Sequence, residues 1–432
     1  MQSISRHQQI LRIALPAIVT NITVPLLGLV DTAIVGHMGS AAYIGAIAVG
    51  SMIFSLVYWL FGFLRMGTSG LTAQAYGRQD SAACRVQLWR SVRLSLLVAV
   101  GVLVLQWPIR ELMLWFIGPT ADVRPLAATY FNIVVWGAPA VLGLYALTGW
   151  FIGMQNTHIP MMVSILQNMV NIVASLVLVY GLDMKVEGVA LGTVIAQYAG
   201  LAVAWLKVDG GRWKVDLSLV EGGKWSGLPP STIKTFRNIF LRTLCLVAVN
   251  LYFTSAGARQ GSTILAVNTL LMQLYLLFSY IMDGFAYAGE ALGGRYWGAQ
   301  DMSAYRDVVR KLFCWGAGMT LLFTLVYVVG GMPFLQLLTD EPSVVEASRD
   351  YVWWAYLIPA AGVAAFIWDG IFIGTTQTRG MLLSSFLAAC VFFVGTFLLT
   401  NQIGNHGLWL SMIAYLATRG LVQTWLSFRA DS

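Results

Sequence analysis

Charged residues are scarce in this chain. Only 10% of its 432 residues are Asp, Glu, Lys or Arg, 58% are hydrophobic, and the mean hydropathy is +0.73. Soluble domains carry about 25% charged residues, so this chain cannot cover its apolar surface with a polar skin in water. It also lacks a long polar or low-complexity stretch, which excludes a disordered protein. The composition indicates a polytopic membrane protein.

Cysteine and histidine are also few, with four residues of each. The cysteines Cys84, Cys245, Cys314 and Cys390 lie far apart and form no CxxC pair, so neither a disulfide framework nor a cysteine metal site is expected. The Walker A, HExxH and GxSxG motifs are absent. We therefore expect no enzyme activity, no metal and no cofactor, and any transport would have to use an ion gradient.

Long apolar segments dominate what remains. A spanning helix needs about 20 mostly apolar residues, and twelve segments qualify. The longest polar stretch, 208–236, separates six of them from the other six. We therefore expect an N-terminal six-helix lobe over 1–207, a cytoplasmic linker over 208–236 and a C-terminal six-helix lobe over 237–432. The predicted helices cover roughly 11–36, 44–70, 88–109, 125–152, 160–182, 188–207, 237–258, 263–291, 309–331, 349–374, 380–402 and 406–427.

The distribution of Lys and Arg predicts the orientation. If the N-terminus is cytoplasmic, 21 of the 26 basic residues fall on the cytoplasmic side. This bias predicts that both termini are cytoplasmic. It also explains the isoelectric point near 9.2 without a nucleic-acid partner.

The two halves repeat each other. Gly77-Arg-Gln-Asp80 recurs in the second half as Gly298-Ala-Gln-Asp301, and Phe151-Ile-Gly153 recurs at the same offset as Phe372-Ile-Gly374. Because six helices make up each copy, both copies enter the membrane in the same sense, related by a pseudo-two-fold axis along the membrane normal. Two similar bundles that rock against each other predict an alternating-access transporter rather than a rigid channel.

Four acidic residues lie inside predicted helices: Asp31, Asp283, Glu290 and Asp369. Each would cost about 2.5–3.5 kcal/mol at mid-membrane, so a functional role is expected. No basic residue follows Arg12 on the helix of Asp31. A desolvated carboxyl without a cation favours its protonated form, so Asp31 is a candidate for proton exchange near neutral pH. The alternative is a solvated carboxylate near the outer headgroups.

Neutral polar residues in the next helices are candidate partners for Asp31. Asn168 and Asn171 are three residues apart and share a helix face, which Ser175 extends by one turn. Tyr130 and Thr193 lie in the fourth and sixth predicted helices. Such groups donate and accept hydrogen bonds without carrying charge, so they suit a carboxyl in either protonation state. Ordinary interhelical hydrogen bonding is the alternative for each of them.

The first predicted helix carries Pro16 and Pro25. Each proline removes an intrahelical hydrogen bond and can bend the helix. We expect them to act as hinges in a helix that bears Asp31, with a static packing kink as the alternative.

The second half carries its own polar cluster. Asp283 and Glu290 are seven residues apart on one face of the eighth predicted helix. Together with Asp369 they are expected to form a single cluster. Gly62 and Thr148 occupy the positions of Asp283 and Asp369 in the first half, so the two halves differ chemically.

Several segments resemble a known family. Asn21–Gly36, Leu71–Gly77, Asp283–Ala288 and Asp369–Gly374 are similar to segments of multidrug and toxic compound extrusion (MATE) transporters, and more closely to the DNA-damage-inducible protein F (DinF) branch. The resemblance covers essentially the whole chain. It implies a V-shaped, all-α fold of two six-helix lobes in the bacterial inner membrane. It also implies export of small hydrophobic, often cationic, compounds in exchange for protons, with sodium as the alternative ion. Apart from the resemblance, we expect a monomer in contact with membrane lipid.

The resemblance further implies roles for individual residues. In that branch the aspartate of the first helix is the proposed coupling site, which corresponds to Asp31. Asn171 matches an asparagine of the fifth helix, whereas Ser175 stands where the family has an aspartate. Asp31 is therefore expected to act with neutral partners only.

Other functions remain as alternatives. A flippase for lipid-linked precursors shares the broader fold, but it would be expected to have a cationic cavity for phosphate. Arg65 is the one basic residue that the predicted helices place near a helix middle, which disfavours the flippase. A membrane-embedded enzyme would need a nucleophile or metal constellation, which the sequence lacks. A receptor or channel fits the duplicated chain less well than a transporter.

Overall fold

The computed structural model describes residues 5–36, 39–209 and 228–430, and within these ranges the chain consists of helices and turns, without strands. Twelve long helices follow one another along the described residues, as the apolar segments predict. A short helix, Gln106–Ile117, lies between the third and the fourth. The long helices are α1 (Arg6–Gly36), α2 (Ala41–Gly77), α3 (Ser81–Val104), α4 (Val123–Gly153), α5 (His158–Gly181), α6 (Val186–Asp209), α7 (Pro230–Arg259), α8 (Ser262–Gly298), α9 (Met302–Leu338), α10 (Pro342–Gly374), α11 (Thr378–Ile403) and α12 (Asn405–Ala430).

Ten of these helices are long and apolar enough to cross a membrane by length and composition, counted over the described residues. The other two, α1 and α12, have 31 and 26 residues and are also long enough for a span. Several helices begin about seven residues before the apolar segments do, for example α7 at Pro230 and α9 at Met302. Their first turns are polar, so hydropathy alone places the start too late.

The described chain divides into two compact units. The N-terminal unit is Val19–Ile233, and the C-terminal unit combines Met1–Ile18 with Lys234–Ser432. The sequence places the start of α1 with the N-terminal lobe, whereas here it packs with α8, where Gly284 lies against Ala14 and Ile18. Of the predicted linker 208–236, residues 210–227 lie outside the described residues.

One helix is central in each unit. We compared the most apolar 18-residue segment of each candidate span. Of this segment 61% is buried in α4 and 72% in α10, against 44% or less in the other eight candidate spans. α4 packs on α2, α3 and α6, and α10 packs on α8, α9 and α12. Both helices carry a glycine where a neighbouring helix comes close. A Cβ at Gly149 would collide with the Arg65 carbonyl oxygen, and a Cβ at Gly370 with that of Ala286.

The predicted duplication is visible in the backbone. Gln79 and Gln300, which are equivalent positions of the repeat, adopt φ angles of 57° and 56°. The following aspartates cap the next helices, because Asp80 Oδ1 accepts the Ala83 amide at 2.9 Å and Asp301 Oδ1 accepts the Ala304 amide at 3.0 Å. The helices α3 and α9 therefore begin with the same turn conformation and the same N-cap.

Candidate functional site

Asp31 is a buried carboxyl in α1, five residues before the helix ends. Among the described residues it forms no ion pair, and its Oδ1 atom has no hydrogen-bond partner. Its surroundings are apolar, since Val30 and Ile34 belong to the hydrophobic cluster of the N-terminal unit. A carboxyl in such surroundings is stable when it is neutral or when it can bind a cation from outside the protein.

Tyr130 lies in the neighbourhood of Asp31 and faces polar residues of α2 and α6. Its phenol lies within electrostatic range of the Asp31 carboxyl and faces the hydroxyls of Ser51 and Thr193. Gly50 makes room for the ring, because a Cβ there would collide with Tyr130 Cδ1. Tyr130 is fully buried, so its hydroxyl takes its partners from the protein.

Asn171 extends the polar group. Its side-chain amide donates to Thr193 Oγ1 at 3.1 Å, and Thr193 donates in turn to the Val189 carbonyl at 3.0 Å. Asn171 Oδ1 and Ser175 Oγ are buried and have no partner among the described residues. Ser175 Oγ lies beside Gly192, the residue before Thr193. We call Asp31, Tyr130, Asn171, Ser175 and Thr193 the N-terminal polar group.

Unpartnered buried oxygens are rare in folded proteins, and each requires an explanation. Three of those in the described residues belong to the N-terminal polar group, on Asp31, Asn171 and Ser175, and others lie elsewhere, for example on Tyr58 and Gln423. The Asp31 and Asn171 oxygens are acceptors without a donor, and the Ser175 hydroxyl can both donate and accept.

Asn168 has a different role from Asn171. Its amide donates to the Thr23 carbonyl of α1 at 3.1 Å, and Thr23 Oγ1 lies 2.8 Å from Ser164 Oγ. Near the other end of α5, the Tyr180 hydroxyl donates to the Ile34 carbonyl at 3.0 Å. These contacts fix α1 against α5 on both sides of Asp31, and the coupling role of Asn168 stays a prediction.

Asp369 of α10 has entirely different surroundings. It is buried and accepts hydrogen bonds from Arg242 of α7 and from Arg419 of α12, both through Oδ2. Its Oδ1 accepts from Gln423 Nε2 at 2.6 Å. The two guanidinium groups are nearly as buried as the carboxylate. The three helices are thereby joined by one network of charged hydrogen bonds, which we call the C-terminal ion network.

The sequence interpretation missed both arginines of this network. The statement that Arg65 alone lies near a helix middle is wrong, since Arg242 lies three turns inside α7 and Arg419 lies well inside α12. The predicted helices 237–258 and 406–427 contain these two arginines, but the sequence interpretation did not count them as charges inside a span. The available signal for a buried ion pair was an arginine that interrupts one apolar run and an aspartate inside another.

The grouping of Asp283, Glu290 and Asp369 stays a prediction. Asp283 is half-buried, and the Ser279 hydroxyl lies 3.4 Å from its carboxyl. It lies within electrostatic range of Tyr275, as do the two arginines of the ion network. Glu290 is buried in a π-helical turn of α8, where its backbone carbonyl faces Gly374.

Asn268, another buried asparagine, has hydrogen-bond partners for both polar atoms of its side chain. Asn268 of α8 and Asn405 of α12 exchange two hydrogen bonds of 2.8 Å, and Trp409 Nε1 donates to Asn268 Oδ1 at 2.8 Å. Both polar atoms of the Asn268 side chain therefore form hydrogen bonds, whereas Asn171 Oδ1 has no partner among the described residues. The described residues also contain no group of three or more His, Cys, Asp or Glu that could hold a metal.

Comparison with known proteins identifies the family. The MatE family model matches residues 16–177 and again residues 239–398. The chain is 39% identical over 421 residues to DNA damage-inducible protein F of Escherichia coli (strain K12), with 96% of this chain and 91% of the relative covered. The chain belongs to the MatE family. Its members are transporters, so this multi-pass membrane protein is not an enzyme.

Further similarities agree with this assignment. The chain is 23% identical to a probable multidrug resistance protein NorM of Thermotoga maritima, covering 96% of this chain and 91% of the relative. A crystal structure of the Vibrio cholerae MATE transporter VcmN in the bent form matches with a TM-score of 0.85 and 18% identity, covering 98% and 96% of the two chains. These matches confirm the predicted MATE fold. The two matches of the MatE model also agree with the duplication inferred from the sequence.

Proposed function

We propose that this MatE-family transporter exports small hydrophobic, often cationic, compounds in exchange for protons, with Asp31 as the residue that binds the coupling proton. The observation that carries the proposal is a buried carboxyl with an unpartnered oxygen and no cation among the described residues. Such a group gains and loses a proton with little reorganisation of charged neighbours. The name of the NorM relative supports the substrate class.

The neutral partners suit this role. Tyr130, Asn171 and Thr193 are neutral groups that can donate and accept hydrogen bonds, so they are compatible with either protonation state of Asp31. Ser175, at the position where the family has an aspartate, adds a hydroxyl instead of a second carboxylate. The site therefore carries one charge at most, and one proton per cycle is the expected stoichiometry. Sodium is the alternative ion, since three unpartnered oxygens could also ligate a small cation.

Movement of α1 is the proposed link between protonation and transport. The boundary between the two compact units falls inside α1, between Ile18 and Val19, two residues after Pro16. Pro16 lies in the C-terminal unit and Pro25 in the N-terminal unit, six residues before Asp31. A helix weakened at both prolines can bend without breaking other backbone hydrogen bonds. We propose both prolines as hinges.

We further propose an inner-membrane location with both termini in the cytoplasm. The bias of Lys and Arg along the chain supports this orientation. We also propose that the protein acts as a monomer.

The test uses purified protein in liposomes. A pH gradient, and separately a sodium gradient, is imposed while a fluorescent lipophilic cation is followed in wild type and Asp31→Asn. We expect proton-driven transport in wild type and at least a tenfold loss in Asp31→Asn. The matched control is Asp340→Asn, an exposed aspartate between α9 and α10, which is expected to transport as wild type does.

Other results would change the assignment. Full proton-driven activity of Asp31→Asn would move the coupling site to Asp283, Glu290 or Asp369. Transport driven by sodium alone would keep the site and change the ion.

A flippase for lipid-linked precursors is the second candidate, and one observation favours it. The buried Arg242 and Arg419 provide positive charge that the sequence interpretation did not count. Both donate to Asp369, however, and this carboxylate neutralises one of the two positive charges. The absence of any gradient-driven cation transport, together with movement of a fluorescent lipid-linked phosphate, would favour the flippase.

A further inference from the structure

An apolar cavity lies at one end of the C-terminal unit, between the start of α9 and the end of α12. Its volume is about 440 Å³, within the range of small-molecule sites. Aromatic side chains form much of its wall: Trp297, Phe313, Trp368 and Phe428. Trp368 is held in place, because its indole Nε1 donates to Thr424 Oγ1 at 2.8 Å and its ring packs on Phe313 at 5.2 Å.

A second cavity adjoins the first and has the opposite character. Its volume is about 660 Å³, and polar side chains form its lining, including Arg6, Asp301 and Asp307. Arg306 and Arg310 line both cavities. An apolar space and a polar space thus meet at two arginines.

The charge of this junction is positive. Three arginines and two aspartates line the polar cavity. Asp307 is already paired, since Lys311 Nζ lies 2.8 Å from its Oδ2, and Asp301 caps α9. Arg310 also reaches Asp307 at 3.2 Å, but its side chain is 77% exposed, so it can turn toward a ligand at low cost. Cationic compounds are disfavoured here, whereas an anion is favoured.

The internal repeat shows that this arrangement is particular to the second half. At the offset that relates the two halves, Arg85 corresponds to Arg306, but Trp89 corresponds to Arg310. Trp89 packs edge-on against Trp205 of α6 at 5.5 Å. In the first half a tryptophan pair therefore occupies the place where the second half has an exposed arginine beside a cavity.

We propose that these two cavities bind one anionic phospholipid of the adjacent leaflet, with an acyl chain in the aromatic cavity and the phosphate between Arg306 and Arg310. An amphiphile with one anionic head matches both spaces, whereas a free phosphate fills only the polar one. Basic pockets at the ends of membrane helices bind anionic headgroups in this way. Under the orientation proposed above, this end lies at the cytoplasmic surface.

The test measures lipid binding and does not depend on transport. Purified, delipidated protein in detergent is titrated with dioleoyl phosphatidylglycerol, and bound copies are counted by native mass spectrometry. Dioleoyl phosphatidylcholine and glycerol phosphate, which lack the anionic charge and the acyl chains respectively, are titrated in parallel. We expect phosphatidylglycerol to bind at least tenfold more tightly than either compound.

Variants locate the site. Arg306→Gln with Arg310→Gln should weaken phosphatidylglycerol binding about tenfold or more, because each charge near a membrane surface contributes several-fold. Arg306→Lys with Arg310→Lys should retain most of the binding, which separates lost charge from lost fold. The matched control is Arg85→Gln, the counterpart of Arg306 in the first half, which should bind as wild type does.

Three results would overturn the proposal. The first is unchanged binding in the double glutamine variant. The second is an equal loss in Arg85→Gln, which would indicate surface charge in general. The third is binding of glycerol phosphate as tight as that of phosphatidylglycerol, which would indicate a free-anion site.

Discussion

Asp31 and Asp369 are both buried aspartates in spanning helices, yet their surroundings are opposite. Asp369 accepts from two arginines and a glutamine. Asp31 has an unpartnered oxygen and no ion pair among the described residues. The positions are not repeat-related, because Tyr252 and Thr148 occupy the corresponding places in the other halves. A carboxyl that must exchange a proton cannot have a fixed cation beside it, and a carboxylate that joins three helices needs one.

The largest expected effect concerns the stability of the C-terminal ion network. Asp369→Asn leaves two buried guanidinium groups without their carboxylate, and breaking a buried pair in this way costs about 3–5 kcal/mol. Asp31→Asn removes no ion pair and should change stability by about 1 kcal/mol or less. Thermal unfolding in detergent compares the two variants. Equal destabilisation would remove the distinction between the two carboxyls.

A second comparison uses the two buried asparagines. Asn268→Leu leaves buried polar atoms of Asn405 and Trp409 without hydrogen-bond partners. This should lower the free energy of unfolding by about 2–3 kcal/mol. Asn171→Leu loses one hydrogen bond, to Thr193, and should cost about 1 kcal/mol. The same unfolding assay ranks them. A reversed order would mean that the N-terminal polar group is structural.

A smaller effect on transport is expected for Tyr130→Phe. This variant keeps the ring against Gly50 and removes the hydroxyl that faces Ser51 and Thr193. One hydrogen bond corresponds to about 2–10-fold in rate or affinity, so proton-driven export should fall by that factor with little change in stability. Tyr351→Phe is its repeat-related control and should transport as wild type does.

The smallest effect is expected at Glu111, in the short helix outside the spans. The hydrogen bond from Arg110, with help from Arg124, lowers the pKa of this carboxyl. A folded-state pKa below the unfolded one adds stability above the ordinary carboxyl pKa, and this stability is lost as pH falls through the folded value. Glu111→Gln should therefore lower the midpoint of thermal unfolding slightly at pH 7 and not at acidic pH. An equal difference at both pH values would contradict this.

The sequence predicted the fold and the candidate role of Asp31, but not the ion network around Asp369. Twelve apolar runs and the internal repeat are dominant signals, so the helices and the duplication follow from composition and spacing. Asp31 and Asn171 were predicted because an ionisable residue in a span, and neighbours on one helix face, can be recognised locally. Arg242 and Arg419 interrupt apolar runs, which is a local signal, but their pairing depends on α7, α10 and α12 meeting at Asp369, which no local pattern encodes.

The start of α1 lies in the same compact unit as the C-terminal helices, a grouping that hydropathy does not indicate. Hydropathy assigns α1 to the N-terminal lobe, together with the five helices that follow it. Its first half instead packs on Gly284, a contact between segments from different halves of the sequence.

The most direct test of the central claim detects the proton on Asp31 itself. Infrared difference spectra of the purified transporter are recorded across a pH titration, and the carbonyl band of a protonated carboxylic acid is compared in wild type, Asp31→Asn and Glu111→Gln. We predict a titrating band that is present in wild type and in Glu111→Gln and absent in Asp31→Asn. An unchanged band in Asp31→Asn would show that the proton resides elsewhere and would contradict the account.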